Sequence, residues 1–286
     1  MKRSFATRLP FGREGQWCIV HSTEWGGKIM GNQKFRMEFV VHYHEINPEE
    51  QAAPMILLYY LEDAAIAHSE SVGYGVAQIK AEGLAWILNR WHLQVDRYPR
   101  LGEKIILETW PSSFERFYAT REFLIRDVAE EIIGRATSLW IFYNITTKRP
   151  CRIPTEFREA YGLDPFRAIE DPFDPLDTIG EGAGTGEQEF LVRRSDIDTN
   201  GHVNNANYLQ WMLEVVPENI YNDHQLASLE IHYKKETTYG SSIRSKCLIK
   251  GLDLDDLQPV CRHVILREDL GQELAIGKTV WVRMNR

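Results

Sequence analysis

The 286-residue chain has only four cysteines, Cys18, Cys151, Cys247 and Cys261, and no Cys-x-x-Cys pair. That scatter argues against a disulfide framework and offers no zinc-binding spacing, so reduced, mostly buried thiols are expected. No apolar run approaches the ~18 residues of a membrane span. The opening segment Met-Lys-Arg-Ser-Phe-Ala-Thr-Arg lacks the long apolar stretch of a secretory signal. Positive charge is also in short supply. A net charge of −8 argues against nucleic acid as the main partner. It also means that an acidic partner would have to meet a local basic patch. His42, His44, His68 and His92 have no neighbouring Asp/Glu/Cys ligand pattern. Neither a metal nor a cofactor is therefore expected. These absences leave a cytoplasmic protein with no membrane association. Its 43% apolar and 11% aromatic content is enough for a substantial core.

What is present is a unit that occurs twice. Residues 35–44 read as a strand of high β-propensity. A turn follows, and then a helix from Pro54 through His68 that is apolar on most of its surface, the mark of a buried helix. Strands are expected at 84–95, 104–110, 117–126 and 132–143, with a hairpin at 127–131. The second half repeats the order: a strand at 187–193, a helix over about 205–216, then strands at 226–235, 243–250, 260–267 and 273–282. Tyr60-Leu-Glu62 lies over Met212-Leu-Glu214 at an offset of 152, and Leu93–Arg97 over Ile231–Lys235 at 138. Two separate matches favour duplication, with an insertion near 73–82 absorbing the difference. Each unit then reads as a curved antiparallel sheet around one helix, an α+β architecture with the two units side by side. The division is an N-terminal extension 1–34, a first domain 35–153, a linker 154–186 rich in proline and glycine, and a second domain 187–286. Trp17, Ile19 and Trp25 of the extension would pack on the body or form a lid.

The most informative stretch is Ser195-Asp-Ile-Asp-Thr-Asn-Gly-His-Val-Asn-Asn-Ala-Asn-Tyr-Leu-Gln-Trp-Met-Leu-Glu-Val-Val-Pro217. Asp198, Asn200 and His202 occupy alternate positions before an apolar helix, and in an extended segment they would share one face. Asn204 or Asn205 can cap that helix. A carboxylate, an amide and an imidazole at a helix entrance offer an acid/base, a donor and an orienting group. Capping and a tight Asn200-Gly201 turn would explain the same residues structurally. The duplication separates the two readings. At the helix offset the three positions fall on Ile46, Pro48 and Glu50, so the first half lacks all three groups. Glu236, at the end of a strand, is a fourth candidate whose counterpart is Tyr98. His232 reads as structural.

The segment 196–217 closely resembles the signature of the acyl-acyl carrier protein (ACP) thioesterases, and Leu229-Glu-Ile-His-Tyr-Lys-Lys-Glu-Thr237 resembles their second motif. Trp91-His-Leu-Gln-Val-Asp-Arg-Tyr-Pro99, with Gly102 and Thr109-Trp110, is similar to their first-half segments. The likeness runs from about 35 to 283. It implies a tandem (double) hot-dog fold, each long central helix wrapped by an antiparallel sheet. It also implies hydrolysis of fatty acyl-ACP thioesters, with Asp198, Asn200, His202 and Glu236 as the catalytic set. Plant members often carry Cys after that Glu; here the position is Thr237, which puts a thiol nucleophile in doubt.

Such chemistry needs an activated water, an oxyanion site and a slot for the acyl chain. His202 and Glu236 would activate water and Asn200 would position the reactants. Asp198 would either hold the network or attack to form an acyl-enzyme. Backbone N–H groups from Val203 to Asn205 are candidate oxyanion donors. The slot is expected in the first half, with Tyr59, Trp86, Leu88 and Val203 as substrate-binding residues. Arg193, Arg194, Lys234, Lys235 and Arg244 are candidates to dock acyl carrier protein, and a homodimer is compatible with the sequence. Rival readings are a coenzyme A thioesterase on the same network, a hot-dog dehydratase, and a non-enzymatic acyl-thioester sensor.

Overall fold

A computed structural model describes residues 34–170, 173, 175–180, 184–250 and 258–284. Trp17, Cys18, Ile19 and Trp25 lie outside the described residues.

The first unit opens with β1 (Phe35–Val40). After a 3-10 turn at Tyr43–Glu45 comes α1 (Pro54–Ser71), then α2 (Val76–Ala81), β2 (Leu84–Val95), β3 (Lys104–Glu115), β4 (Tyr118–Asp127), β5 (Ile132–Asn144) and the two-residue β6 (Arg149–Pro150). α3 (Thr155–Tyr161) follows. The second unit is β7 (Gly186–Leu191), a 3-10 turn at Arg194–Asp196, α4 (Asn205–Leu213), α5 (Glu218–Asp223), β8 (His224–Tyr233), β9 (Ser242–Lys250), β10 (Val260–Arg267) and β11 (Gln272–Arg283). Pro54 starts α1, where its missing N–H costs nothing. The Asn204 side chain caps α4 by accepting from Ala206 N at 2.8 Å.

The two units share one antiparallel sheet, ordered β1-β3-β4-β5-β2-β8-β11-β10-β9-β7. β2 and β8 join them, with His92 opposite Glu230 at the middle of the ladder. Those two residues are also equivalent at the offset of 138, so the pseudo-twofold axis passes through this pair. This is the tandem hot-dog of the α+β class. α1 and α4 lie inside the curved sheet and meet each other across the axis. Leu57, Leu58 and Leu61 of α1 and Leu209 and Met212 of α4 are fully buried in one core.

Three local features depart from the sequence reading. α4 ends at Leu213 rather than at 216, and the short α5 follows Pro217. The 73–82 insertion holds α2. The linker contains α3, whose Phe157 and Tyr161 are buried in a second apolar cluster with Phe114 and Phe142. Beyond α3, Arg167 pairs at 3.0 Å with the fully buried Glu122, and Ile179 packs on Val264 and Ile276 of the second unit. Apolar residues separated by non-periodic stretches gave no pattern from which to predict this docking.

Candidate functional site

The segment 197–203 is a closed loop and not an extended strand. Ile197 and Val203 form a β-bridge. Asp198 N donates to His202 O at 2.8 Å and Gly201 N to Asp198 O at 3.1 Å. Gly201 takes φ +83°, a left-handed conformation in which glycine carries no steric cost. The Asp198 carboxylate accepts from the backbone of Asn200 at 2.8 Å and of His202 at 3.2 Å. A turn, rather than side-chain alternation, therefore brings these groups to the entrance of α4.

The first unit builds the same loop. Ile46 bridges Ala52, Asn47 N donates to Gln51 O at 2.8 Å, and the Asn47 side chain accepts from Glu49 and Gln51. Glu50 stands where Gly201 stands, with φ +60°. Ala52 N donates to Pro99 O as Val203 N does to Thr237 O. The superposable hydrogen bonds run at an offset of 151, one less than the helix match suggested. The counterparts of Asp198, Asn200 and His202 are therefore Asn47, Glu49 and Gln51, not Ile46, Pro48 and Glu50. Tyr98 remains the counterpart of Glu236. Its hydroxyl donates to Leu226 O at 2.9 Å.

In the second unit His202 and Glu236 come together, with Nε2 and Oε2 3.2 Å apart. Three bonds hold the start of α4 to this stretch: Val203 N to Thr237 O at 3.0 Å, Tyr233 Oη to Asn205 O at 3.1 Å and Tyr208 Oη to Lys235 O at 3.5 Å. Burial and the nearby Glu236 carboxylate raise the Tyr208 phenol above its ordinary range, so it stays a neutral donor. His202 is half-buried and Asn200 and Glu236 are exposed, so the group opens to solvent. Thr237 is buried, and its Oγ1 has no hydrogen-bond partner among the described residues.

Two of the three proposed oxyanion donors are already engaged. Val203 N is bonded to Thr237 O, and Asn204 N to Asp196 O at 2.9 Å. Asn205 N, at the first helical position, keeps no such bond among the described residues. The Val203 side chain is buried in the main core.

The expected slot residues do not form one surface. A bulge at Asn89 shifts the β2–β5 register, so Leu88 and Trp91 both face the main core. Tyr59 lies half-buried against that core on α1. Trp86 instead packs in the second cluster, with Phe142 at 4.6 Å between ring centres.

Basic residues near the site are largely paired. Arg193 holds Asp196 at 2.9 Å, and Lys234 holds Glu273 at 2.5 Å. Arg244 contacts Glu187, Glu189 and Glu268, which removes it as a free docking group. Arg194 lies over the Tyr239 ring at 4.4 Å, and Lys235 has no ion pair among the described residues. His232 is half-buried beside Arg90, and burial lowers it to about 4, consistent with a structural role.

One donor cluster could hold a metal, and sequence spacing missed it. Ligand atoms of Cys247, Cys261 and His263, all fully buried on β9 and β10, lie within 4.8 Å of one another. Cross-strand register, with Cys247 opposite His263, assembles them. The set offers three donors where a closed structural zinc site uses four. Its His263 Nε2 is already 2.9 Å from Thr279 Oγ1.

Residues 32–161 match the acyl-ACP thioesterase N-terminal domain, and 182–283 the C-terminal domain. A chloroplastic dodecanoyl-[acyl-carrier-protein] hydrolase of Cinnamomum camphora is 30% identical over 258 residues, covering 86% of this chain and 67% of the relative. A chloroplastic palmitoyl-acyl carrier protein thioesterase of Gossypium hirsutum is 30% identical over 264 residues, covering 86% and 63%. The solved 12:0-ACP thioesterase of Umbellularia californica superposes with a TM-score of 0.79 at 29% identity, over 87% of this chain and 94% of its own. An acyl-ACP thioesterase of Bacteroides thetaiotaomicron gives 0.75 at 22%, over 86% and 96%, and shows the same fold. The fold and these matches agree: the chain belongs to the acyl-ACP thioesterase family and is a thioester hydrolase.

Proposed function

We propose that this chain hydrolyses fatty acyl-acyl carrier protein to free fatty acid and holo-carrier, using a water activated at His202 and Glu236. One observation carries the reading. The same hydrogen-bonded loop is built in both units, yet at the two positions where the second pairs the His202 imidazole with the Glu236 carboxylate the first has Gln51 and Tyr98. Packing and turn formation are satisfied in both, so the difference lies in chemistry.

The Glu236 carboxylate holds the His202 ring through Nε2 and stabilises the imidazolium that forms when the ring takes a proton from water. The resulting hydroxide attacks the thioester carbonyl. Asn205 N, at the positive end of α4, faces the developing oxyanion. Collapse expels the thiolate of the carrier's pantetheine arm, which receives the proton. The exposed Asn200 amide orients the thioester. Asp198 acts as an electrostatic support, because its carboxylate is committed to two backbone N–H groups and is poorly disposed to attack.

The acyl chain runs into the first unit, along Tyr59 and Leu88 and past Val203. The carrier docks against Arg194 and Lys235. The working division is a first domain at 35–153 that receives the chain and a second at 187–286 that carries the chemistry. Product analysis of the purified protein on matched acyl-carrier and acyl-coenzyme A panels tests this. Faster release from the carrier substrates is expected, and equal or faster hydrolysis of the coenzyme A esters would overturn the carrier assignment.

A further inference from the structure

Glu62 sits on α1 of the first unit, yet its carboxyl reaches the catalytic loop of the second. Its Oε1 is sealed from solvent and makes no hydrogen bond among the described residues. The groups facing it come from every neighbouring element: Tyr59 and Asp63 on α1, Asp198 on the loop, the side-chain amides of Asn204 and Asn205 at the start of α4, and Tyr233 on β8. The offset of 151 places Leu213 at the equivalent position in the second unit, where the facing loop carries no chemistry. Packing against a loop of this shape is therefore satisfied by a leucine, and a carboxyl at this contact has another purpose.

We propose that Glu62 is a positioning residue for the thioesterase reaction: its buried carboxyl supports Asp198 and the amides of Asn204 and Asn205 from across the domain interface. The assignment rests on the functional reading above. A neutral carboxyl has an O–H to donate, so it can approach Asp198 without repulsion, whereas a carboxylate there would set two negative charges together. Burial is the main cause that holds the proton on Glu62, with Asp63 and Asp198 adding to it against the Asn205 and Asn204 amides, which favour the charged form; together they raise the group to about 7. The sign follows: the supporting form is present below about pH 7 and is lost as pH rises through it.

The test compares the full-length wild type with Glu62→Gln, Glu62→Ala and His202→Ala. kcat and KM are measured on an acyl-carrier substrate from about pH 6 to 9, with thermal melts alongside. At pH 8, one unit above the midpoint, about a tenth of Glu62 stays protonated. The ratio of Glu62→Gln to wild-type kcat, in which any pH dependence common to both proteins cancels, is therefore expected to rise about two- to fivefold from pH 6 to pH 8, because Glu62→Gln is a permanently neutral isostere. Glu62→Ala is expected to lose about three- to tenfold in kcat at pH 6, the scale of one hydrogen bond, with KM little changed. A Glu62→Gln profile identical to wild type, or a folded Glu62→Ala with wild-type kcat, overturns the assignment. If Glu62→Ala does not fold, the Glu62→Gln profile decides alone. Wild-type protein showing no hydrolysis that depends on His202 overturns the functional reading and this assignment with it.

Discussion

The backbone N–H of Val203 donates to the carbonyl of Thr237 at 3.0 Å, and this bond fastens the 197–203 loop to the segment after β8 that carries Glu236. His202 and Glu236 each directly precede one of the bonded residues, and their side chains meet at 3.2 Å. The equivalent bond in the first unit, Ala52 to Pro99, fastens Gln51 beside Tyr98. The loop shape thus does not depend on His202 or Glu236: the first unit builds it with Gln51 and Tyr98 in their places.

Asp198→Asn follows directly. Asn47 makes the same two-acceptor turn in the first unit with a neutral amide. The variant should fold with a melting temperature within a few degrees of wild type, since its turn bonds persist. If the Asp198 charge supports the imidazolium, kcat should fall by roughly 100-fold, the lower range for a charge-stabilising group. Steady-state kinetics with a thermal melt check this; near-normal kcat would reduce Asp198 to a turn former.

Chain length should follow the volume beside α1. Each buried methylene contributes about 0.8 kcal/mol, roughly a fourfold preference. Enlarging Tyr59 to Trp, or Leu88 to Phe, should shift the released fatty acids toward shorter chains by about one two-carbon step. Gas chromatography of products from a mixed acyl-carrier pool reads this out. An unchanged profile from both variants would move the slot elsewhere.

Acid should destabilise the fold through two buried imidazoles. Burial holds His68 near 2 and His263 near 3, and Arg121 beside His68 lowers it further. The unfolded chain binds protons at these sites below about 6.5 while the folded chain does not, so stability falls as pH drops from there toward the folded values. Each contributes a slope of about 1.4 kcal/mol per pH unit within that window. Urea denaturation at several pH values should show His263→Leu falling less steeply than wild type between about pH 6 and 4. Equal slopes would count against a neutral, buried His263.

Much of this was legible in the chain. The strands of both units alternate or run apolar with clear turn signals, and α1 begins at Pro54 as its position suggests. The four polar residues also stood out, but the first-unit positions set against three of them were one residue out, and the true counterparts Asn47, Glu49 and Gln51 are polar as well. What did not show was set by contacts between distant residues. The offset differed by one because the helices match loosely in apolar pattern, and only the paired loop bonds fix the register. The segment around His202 looked extended by alternation, whereas Gly201 and the Asp198 carboxylate close it into a turn. Arg244 looked like a free basic group until three carboxylates from β7 and the turn after β10 met it. Glu62 carried no local signal, because Asp198, Asn204 and Asn205 beside it come from the other unit.

The most direct measurement is kcat/KM on an acyl-carrier substrate for His202→Ala and Glu236→Ala, with circular dichroism melts to establish folding. Loss of a general base and of its charged partner should lower kcat/KM by about 100- to 10,000-fold while the melts stay close to wild type. Folded variants that both keep near-normal turnover would contradict the assignment of His202 and Glu236 as the groups that activate water.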